Sequence, residues 1–357
     1  MISEFWRGKR ILLTGHTGFK GGWLALWLRR MGAEILGYSL PAPTQPSLFE
    51  TARISESVEG VIGDIRDLPR LHSAFREFSP EIVFHLAAQP LVRVSYDAPV
   101  ETFSTNVLGT VHVLEAIRQT NSVRSAVIVT SDKCYANQES ARGYRENDSL
   151  GGHDPYSNSK ACAEMVVESY RRSFFSDSGA TAVASARAGN VIGGGDWAAD
   201  RLIPDLVRAA VAGTPVVLRN PKSIRPWQHV LEPLSGYLML AQRLWEAPSR
   251  YAEAWNFGPR DDDAMSVEDI VALAAQAWGD GMTWVLESRP QPHESRVLRL
   301  DCAKARGIGW QPLLGIAQAV DWTIEWYRAW SGRGDMKDLS LEQITRYSEL
   351  LAKGRMA

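Results

Sequence analysis

Short apolar runs alternate with longer amphipathic stretches through the first half of the chain. The apolar runs predict buried strands at Lys9–Thr14, Glu34–Ser39, a run ending at Gly63-Asp64, Glu81–Ala87, Val123–Ser131 and Thr181–Arg187. The amphipathic stretches predict helices at Gly18–Met31, up to Phe78, at about Pro99–Thr120 and at Asp154–Phe175. Because strands that alternate with helices form βαβ units, we expect a doubly wound parallel sheet of the α/β class.

The pattern changes after Gly189, where glycines cluster, prolines recur and ten of the 13 tryptophans follow. This half predicts a smaller α/β lobe with helices near Pro204–Ala212, Val267–Trp278 and Ile316–Trp330. The run Ala254–Gly258 predicts a strand that rejoins the first sheet, and Ser331–Asp338 predicts a linker to a final helix at Leu341–Leu351. We therefore expect one domain from residues 1–188 and 229–258, a smaller lobe from 189–228 and 259–331, and a linker with a helix over 332–357.

Composition excludes several classes of protein. With 39 Lys and Arg against 41 Asp and Glu, the net charge is only -2, which argues against a nucleic-acid partner. No apolar run approaches the length of a membrane span. The three cysteines are odd in number and far apart, which favours a reducing compartment, and so the cytoplasm, over a disulfide framework. No histidine or cysteine pattern has metal-ligand spacing, so we expect no metal.

A glycine-rich turn, Thr14–Gly21, follows the first predicted strand and begins the first helix. Glycine lets the backbone approach a pyrophosphate, which the helix N-terminus attracts; this predicts a dinucleotide site, with an ordinary strand-helix turn as the alternative. Between residues 35 and 52 no Lys or Arg is available for the 2′-phosphate of NADP, which favours NAD. Asp64 is expected either to accept from the adenine amino group or to cap the next helix.

Tyr156 and Lys160 stand four residues apart, on one face of a predicted helix. A nearby cation lowers the pKa of a phenol, which can then take a proton from a sugar hydroxyl while hydride leaves the same carbon. By itself this spacing is common among solvated side chains. Combined with the glycine turn and a strand that ends at Thr130-Ser131-Asp132-Lys133, it predicts a catalytic site.

These motifs together resemble the nucleotide-sugar 4,6-dehydratases of the extended short-chain dehydrogenase/reductase superfamily. The resemblance runs from about Trp6 to Trp330 and rests on TGHTGFKGGWL, GDIRD, HLAAQPLVRVSY, TNVLGTVHVLEA, VTSDKCY, DPYSNSK, ARAGNVIGGGDWAADRLIPD, RPWQHVLEPL and PHES. The glycine turn and the Tyr-Lys pair are shared by the whole superfamily, whereas SDKCY, DRLIPD, RPWQHV and PHE are typical of the branch that acts on CDP-glucose. The resemblance implies a Rossmann-like NAD-binding domain and a smaller C-terminal lobe that binds the nucleotide sugar.

The resemblance also implies a reaction: NAD-dependent dehydration of CDP-D-glucose to CDP-4-dehydro-6-deoxy-D-glucose. Tyr156 would take the proton of the C4 hydroxyl, Lys160 would lower the pKa of the phenol and hold the nicotinamide ribose, and Ser131 would hydrogen-bond the same hydroxyl. Asp132 would protonate the departing C6 hydroxyl. In the dTDP-glucose and GDP-mannose relatives a glutamate follows that aspartate and removes the C5 proton. Because this chain has Lys133 there, the base is either a neutral Lys133 or another group.

Two sets of binding residues are implied in the same way. The cofactor set is Gly15, Thr17, Gly18, Phe19, Lys20, Gly21, Asp64, Ile65, Leu86, Ala87, Ala88, Gln89, Asn106, Thr130, Tyr156, Lys160 and Arg187. The substrate set is Asn190, Arg201, Leu202, Arg219, Arg225 and His293. Trp197 and Trp227 lie within the narrower motifs and are expected near the ligand.

The resemblance further implies a homodimer or homotetramer, built on the helices at Pro99–Thr120 and Asp154–Phe175, and a place in deoxysugar biosynthesis for surface polysaccharide such as lipopolysaccharide O-antigen. Two alternatives stay open. One is another nucleotide-sugar dehydratase or an epimerase of the same fold, although an epimerase needs no acid-base pair after the Ser131 position. The other is a non-catalytic dinucleotide-binding sensor, for which a broken Tyr-Lys pair would be expected.

Overall fold

A computed structural model of the chain describes residues 2–138, 142–177, 179–260, 263–279, 281–287 and 298–354, with only the backbone of residues 2 and 3. The strands are, in chain order, β1 (Arg10–Thr14), β2 (Glu34–Ser39), β3 (Glu59–Ile62), β4 (Ile82–His85), β5 (Ser125–Val129), β6 (Ala182–Ala188), β7 (Val191–Ile192), β8 (Val216–Leu218), β9 (Ile224–Arg225), β10 (Gln228–His229), β11 (Ala254–Phe257), β12 (Met265–Ser266) and β13 (Trp284–Leu286). Seven of them form one parallel sheet in the order β11-β6-β5-β4-β1-β2-β3. The predicted α/β class with a doubly wound parallel sheet is therefore confirmed.

The helices surround this sheet and build the C-terminal part of the chain. They are, in chain order, α1 (Ile2–Trp6), α2 (Phe19–Arg30), α3 (Leu48–Thr51), α4 (Leu68–Phe78), α5 (Val92–Asp97), α6 (Pro99–Phe103), α7 (Gly109–Arg118), α8 (Pro155–Phe174), α9 (Leu202–Ala212), α10 (Leu231–Glu246), α11 (Pro248–Tyr251), α12 (Val267–Trp278), α13 (Ala303–Gly307), α14 (Ile316–Ser331) and α15 (Met336–Gly354). Short 3-10 turns lie at Ile54–Glu56 and Asp132–Cys134.

Both faces of the sheet are covered, which explains why its strands are apolar almost throughout. Successive side chains of a strand point to opposite faces. In β1, Leu12 packs into a cluster with α4, α7 and α8, whereas Ile11 and Leu13 pack into the larger core cluster on the other side. The larger cluster continues through α2 and α10 into the C-terminal helices, so one apolar core joins the sheet to the rest of the chain. The division into two domains stays a prediction.

Most element predictions hold, and the differences have local causes. The strand expected at Ala254–Gly258 is β11, which pairs in parallel with β6 at the edge of the sheet. The helix expected over Pro99–Thr120 consists of α6 and α7, joined by a π-helical segment at Ser104–Leu108. The linker predicted to run to Asp338 is wrong, because α15 already begins at Met336. Asp335 Oδ1 accepts the backbone N–H groups of Lys337 and Asp338, which starts the helix earlier.

Glu232 of α10 fastens the C-terminal helix to this core. Its carboxylate accepts the backbone N–H groups of Leu313 and Leu314, and the hydroxyl of Tyr347 on α15 donates to it over 2.7 Å. The side chain is fully buried, and this burial raises the pKa of Glu232 to about 7. A carboxyl group with a raised pKa keeps its proton in the native state at a pH where the unfolded chain releases it.

Replacing Glu232 with glutamine is expected to remove part of the pH dependence of stability. The wild-type protein should lose about 3 kcal/mol of unfolding free energy from this group as pH rises from about 4.5 to about 7, because only the unfolded state ionises over most of that range. Glutamine can accept the same two N–H groups and does not titrate. Urea denaturation at about pH 5 and about pH 8 measures the loss, with Glu246→Gln on the exposed face of α10 as control. An equal loss in wild type and Glu232→Gln would contradict this account.

Candidate active site

A cavity of about 810 Å³ lies beyond the carboxyl ends of β1, β4, β5 and β6, where parallel α/β sheets bind their ligands. The predicted site residues that line it are Gly15, Thr17, Gly18, Phe19, Lys20, Gly21, Asp64, Ile65, Leu86, Ala87, Ala88, Thr130, Ser131, Asp132, Lys133, Tyr156, Lys160, Asn190, Arg201, Leu202, Arg219 and Arg225. Trp197 and Trp227 line it as well. The structure thus brings most of the predicted cofactor, catalytic and substrate residues to a single cavity.

The backbone of the glycine turn packs so closely that positions 15 and 21 have no room for a side chain. Gly15 has a φ of +83°, and a Cβ there would lie 2.8 Å from the backbone nitrogen of Ala87. A Cβ on Gly21 would lie 2.0 Å from the carbonyl oxygen of Gly15. Helix α2 begins after Gly18, so no side chain caps its first amide groups, and these face the cavity. Such uncapped amide groups, at the positive end of a helix, form a site for a pyrophosphate.

The neighbouring side chains keep this end of the cavity neutral. His16 Nδ1 lies 2.8 Å from Ser39 Oγ, and burial lowers the pKa of His16 to about 4, so the imidazole is uncharged at neutral pH. Asp64 is held by Arg66, whose Nη2 donates to Oδ2 over 2.6 Å. The alternative in which Asp64 caps the next helix is wrong: Asp67 accepts the backbone N–H of Arg70 at the start of α4.

Tyr156 lies in the first turn of α8 and Lys160 one turn later. Asp154 caps this helix by accepting the backbone N–H of Ser157 over 2.9 Å, and Pro155 occupies its first position. Burial raises the pKa of Tyr156 to about 12, against a hydrogen bond with Ser131 and the charge of Arg201, which lower it. The groups that lower the pKa of Tyr156 are therefore Ser131 and Arg201, whereas the helical spacing had predicted that Lys160 would lower it.

Asp132 is buried in the turn that follows β5. Ser131 Oγ donates to Asp132 Oδ1 over 3.1 Å, and Oδ2 has no hydrogen-bond partner among the described residues. Burial raises the pKa of Asp132, although Lys133 and then Ser131 oppose the shift. A Cβ at position 189 would come within 2.9 Å of Oδ2, so Gly189 leaves the space that this oxygen needs. The carboxyl group is thereby biased towards its protonated form, the state that a general acid requires.

Two lysines reach the centre of the cavity. Burial lowers the pKa of Lys160 to about 8, while the carboxylate of Glu164 raises it. Burial lowers the pKa of Lys20 to about 7; Arg201 lowers it further and Asp132 raises it. Lys20 was assigned to the cofactor from the motif alone, yet its ammonium group interacts with the catalytic side chains as well.

Arginines from the part of the chain after Gly189 line the same cavity. Arg201 Nη1 lies 3.5 Å from Asp196 Oδ2, and Arg219 Nη2 lies 2.7 Å from Asp200 Oδ1. Neither aspartate was predicted, although both lie within the GGGDWAADRLIPD motif. Their position near a predicted binding arginine in the sequence is the signal that could have identified them. Planar guanidinium groups held in this way suit the paired oxygens of a diphosphate. The predicted His293 lies outside the described residues.

Three predicted cofactor residues do not line the cavity. Gln89 and Asn106 bond to each other, since the backbone N–H of Gln89 donates to Asn106 Oδ1 over 2.8 Å. Asn106 Nδ2 also donates to Ser159 Oγ, which joins the π-helical segment to α8. Arg187 lies beneath the cavity and pairs with Glu164 at 2.8 Å. These side chains hold the lining residues in place from behind.

Comparison with known proteins places this arrangement in a family. A family model described as GDP-mannose 4,6 dehydratase matches residues 12–326, which is most of the chain. The chain belongs to this family. The family resemblance predicted from the sequence motifs, to nucleotide-sugar 4,6-dehydratases of the extended short-chain dehydrogenase/reductase superfamily, is thereby confirmed.

Relatives within and beyond the family agree with this assignment. CDP-glucose 4,6-dehydratase from Salmonella typhimurium is 54% identical over 349 residues, covering 96% of this chain and 97% of the relative. A dTDP-glucose 4,6-dehydratase from Xanthomonas campestris is 26% identical over 340 residues, covering 88% and 92%. Among solved structures, UDP-glucose 4-epimerase from Thermus thermophilus in complex with NAD has a TM-score of 0.77 at 25% identity, covering 89% of this chain and 99% of that one.

The described residues also bear on membrane and metal sites. None of the helices described here has both the length and the apolar composition needed to span a membrane. Within the same residues, no group of three or more His, Cys, Asp or Glu side chains is arranged to hold a metal ion.

Proposed function

We propose that the protein is an NAD-dependent hydro-lyase that converts CDP-D-glucose into CDP-4-dehydro-6-deoxy-D-glucose. One observation carries the proposal: Tyr156, Lys160, Ser131 and a buried Asp132 line one cavity. The same cavity is lined by Arg201 and Arg219, each of which pairs with an aspartate. The 54% identity to a CDP-glucose 4,6-dehydratase over nearly the whole chain supports the substrate. The buried acid supports a dehydratase over an epimerase, which moves no water and needs no acid at that position.

The glycine turn and its surroundings fit NAD. The uncapped N-terminus of α2 would hold the pyrophosphate, and the backbone at Gly15 and Gly18 leaves room for it. At the end of β2 the cavity is lined by Ser39, Leu40 and Pro41, and the described residues that line this end include no Lys or Arg to meet a 2′-phosphate. NAD, when bound, supplies a hydride acceptor for the sugar C4 and a donor for C6.

The chain's own side chains would move the protons of the first step. Tyr156 takes the proton of the C4 hydroxyl, and the hydroxyl of Ser131 shares this hydrogen-bonding position, in agreement with its bond to the phenol. Lys160 would donate from its ammonium group to the nicotinamide ribose and would contribute positive charge beside the departing proton. Oxidation at C4 then acidifies the proton on C5.

Elimination of water needs one group to take the C5 proton and another to give a proton to the C6 hydroxyl. Asp132 is the donor in this proposal, because burial raises the pKa of its carboxyl group and so favours the protonated form. Lys133 follows directly in the chain and lines the cavity, which makes it our candidate base, on condition that its amine is neutral. On the other side, Arg201, Arg219 and Arg225 bind the diphosphate and Asn190 and Leu202 complete the nucleotide site.

Incubation with CDP-glucose, dTDP-glucose, UDP-glucose and GDP-mannose in deuterated buffer tests the proposal. We expect mass spectrometry to show loss of one water from CDP-glucose, with deuterium at C5 of the product, because the C5 proton exchanges with solvent during elimination. Faster water loss from another nucleotide sugar would overturn the assigned substrate. No water loss from any of the four would overturn the dehydratase function.

We also propose that the protein is a cytoplasmic homo-oligomer that serves deoxysugar biosynthesis for surface polysaccharide. Four apolar side chains on these helices are exposed: Val100 and Phe103 of α6, Leu108 of the π-helical segment and Met165 of α8. Val100 is exposed to 82%. Such side chains on neighbouring helices are typical of a surface that a second copy covers. The free thiols of Cys134 and Cys302 are buried, as suits a reducing compartment. Sedimentation velocity tests the assembly, which a purely monomeric protein would contradict.

A further inference from the structure

A buried ion pair between Glu164 and Arg187 lies beneath the Tyr156-Lys160 pair. Glu164 follows Lys160 by one turn of α8, so the two side chains lie on the same face of the helix. Arg187, near the end of β6, donates from Nη2 to Glu164 Oε2 over 2.8 Å. The two side chains are only 3% and 2% exposed, and no other ion pair of the described residues is buried to this degree on both sides.

Glu164 also holds the end of the catalytic strand. The hydroxyl of Thr130 donates to Glu164 Oε1, and the hydroxyl of Ser185 on β6 donates to Oε2 over 2.7 Å. Thr130 lines the cavity and directly precedes Ser131. Both oxygens of the carboxylate are therefore occupied by groups that fix where β5 and β6 end.

Arg187 connects the other segments that carry reacting side chains. Its Nη1 donates to the hydroxyl of Tyr135 over 2.8 Å and to the carbonyl oxygen of Glu146 over 3.0 Å. Tyr135 follows the turn that contains Asp132, and Glu146 lies in the segment that leads into α8 and Tyr156. The hydroxyl of Tyr135 in turn donates to Asn256 Oδ1 on β11 over 2.7 Å.

The charges around Lys160 make Glu164 decisive for its protonation. Burial lowers the pKa of Lys160 to about 8, while Glu164, and to a smaller extent Cys134, raise it. The other titratable groups that interact with Lys160 are Lys20, whose pKa burial lowers to about 7, and His85, whose pKa burial lowers to about 3. Although burial opposes ionisation of Glu164, Arg187 and the hydroxyls of Thr130 and Ser185 hold its pKa below the ordinary value. Without this carboxylate, the pKa of Lys160 would fall further and a larger share of its amine would be neutral near pH 7.

We propose that Glu164 and Arg187 are positioning residues: Arg187 keeps the Glu164 carboxylate ionised, and this carboxylate keeps Lys160 cationic and holds Thr130 beside the site. The pair thereby prepares Lys160 to donate to the nicotinamide ribose. The consequence for catalysis rests on the proposed function, whereas the charge state of Lys160 is a property of the protein itself. Arg187, assigned from the sequence to the cofactor, acts through Glu164 instead.

Competitive acetylation with acetic anhydride over a range of pH, followed by peptide mass spectrometry, measures the titration of Lys160 without any enzymatic turnover. We expect its midpoint to fall by about one pH unit in Glu164→Gln relative to wild type, because glutamine has the size of glutamate but no charge. Glu164→Asp, which keeps the charge, is expected to restore most of the wild-type midpoint.

Ser185→Ala is the matched control, since it removes a hydrogen bond from the same carboxylate and leaves the charge in place. In Ser185→Ala, the pH midpoint for acetylation of Lys160 should equal that of wild type. Because Glu164→Gln leaves Arg187 buried without its partner, the double variant Glu164→Gln/Arg187→Gln is measured as well, and a shift in the same direction is expected. Thermal melting identifies which variants are folded.

In steady-state kinetics with CDP-glucose, the alkaline limb of the pH profile of kcat should move to lower pH in Glu164→Gln. KM should change by less than about twofold. An unchanged Lys160 midpoint in a folded Glu164→Gln or double variant would overturn the positioning role. The same shift in Ser185→Ala would also overturn it, because loosened packing rather than charge would then be the cause. Failure of the wild type to dehydrate any nucleotide sugar would overturn the proposed function and leave the labelling result intact.

Discussion

Tyr156→Phe is expected to lower kcat by about 10³-fold while the melting temperature stays within roughly 3 °C of wild type. Phenylalanine keeps the ring, which is buried against the start of α8, and removes only the oxygen that would accept the C4 proton. The hydroxyl of Ser131 keeps its hydrogen bond to Asp132 Oδ1, so the change is confined to the phenol oxygen. Single-turnover oxidation of CDP-glucose, followed by mass spectrometry of the sugar, measures the effect.

Tyr170→Phe provides a matched control on the same helix. Tyr170 packs against Phe174 and Phe175 near the end of α8, away from the residues that line the cavity. Its replacement should leave kcat within about twofold of wild type. If Tyr156→Phe kept more than about a tenth of the wild-type kcat, Tyr156 would not be the proton acceptor of the first step.

Asp132→Asn is expected to separate the two halves of the reaction. Asparagine fills the same buried space beside Gly189 but has no acidic proton to give to the C6 hydroxyl. Water loss should therefore slow by about 10² to 10³-fold, while oxidation at C4 changes by less than about tenfold. The 4-keto sugar, lighter than the substrate by two hydrogens, should accumulate on the enzyme, where rapid quenching and mass spectrometry detect it.

Lys133→Met completes this comparison, because it leaves the acid in place and removes the candidate base. It too should oxidise CDP-glucose and accumulate the 4-keto sugar. In deuterated buffer we expect no deuterium at C5 of that sugar. Equal slowing of C4 oxidation and water loss in Asp132→Asn would remove Asp132 from its assigned step, and normal elimination by Lys133→Met would transfer the base to another group.

The parts of the site that could be predicted from the sequence are those whose geometry is set within a few residues. A strand, a glycine turn and a helix in succession bring the first amide groups of α2 to the carboxyl edge of the sheet. A spacing of four residues places Tyr156 and Lys160 on one side of α8. Residues that directly follow parallel strands, such as Ala87 and Ser131, meet at one edge because parallel strands end on the same side.

Partners that are distant in the sequence could not be predicted in this way. The motif by itself assigned Arg187 to the cofactor, but its partner Glu164 lies on a helix and is recognised only when β6 and α8 pack together. Asp64 lies where a dinucleotide acid or a helix cap is expected, and only the folded chain shows that Arg66 occupies its carboxylate. The role of Asp196 and Asp200 is visible only in the folded chain, where their carboxylates pair with Arg201 and Arg219.

The sequence by itself therefore determined the fold class, the cavity edge and the side chains that react, because hydrophobic periodicity and short-range spacing encode them. Only the tertiary structure decided the protonation of these side chains. Burial raises the pKa of Asp132 and lowers the pKa of Lys160, and the partners that oppose or permit these shifts come from separate elements. Desolvation depends on everything packed around a group, so it is a property of the assembled core and not of any one segment.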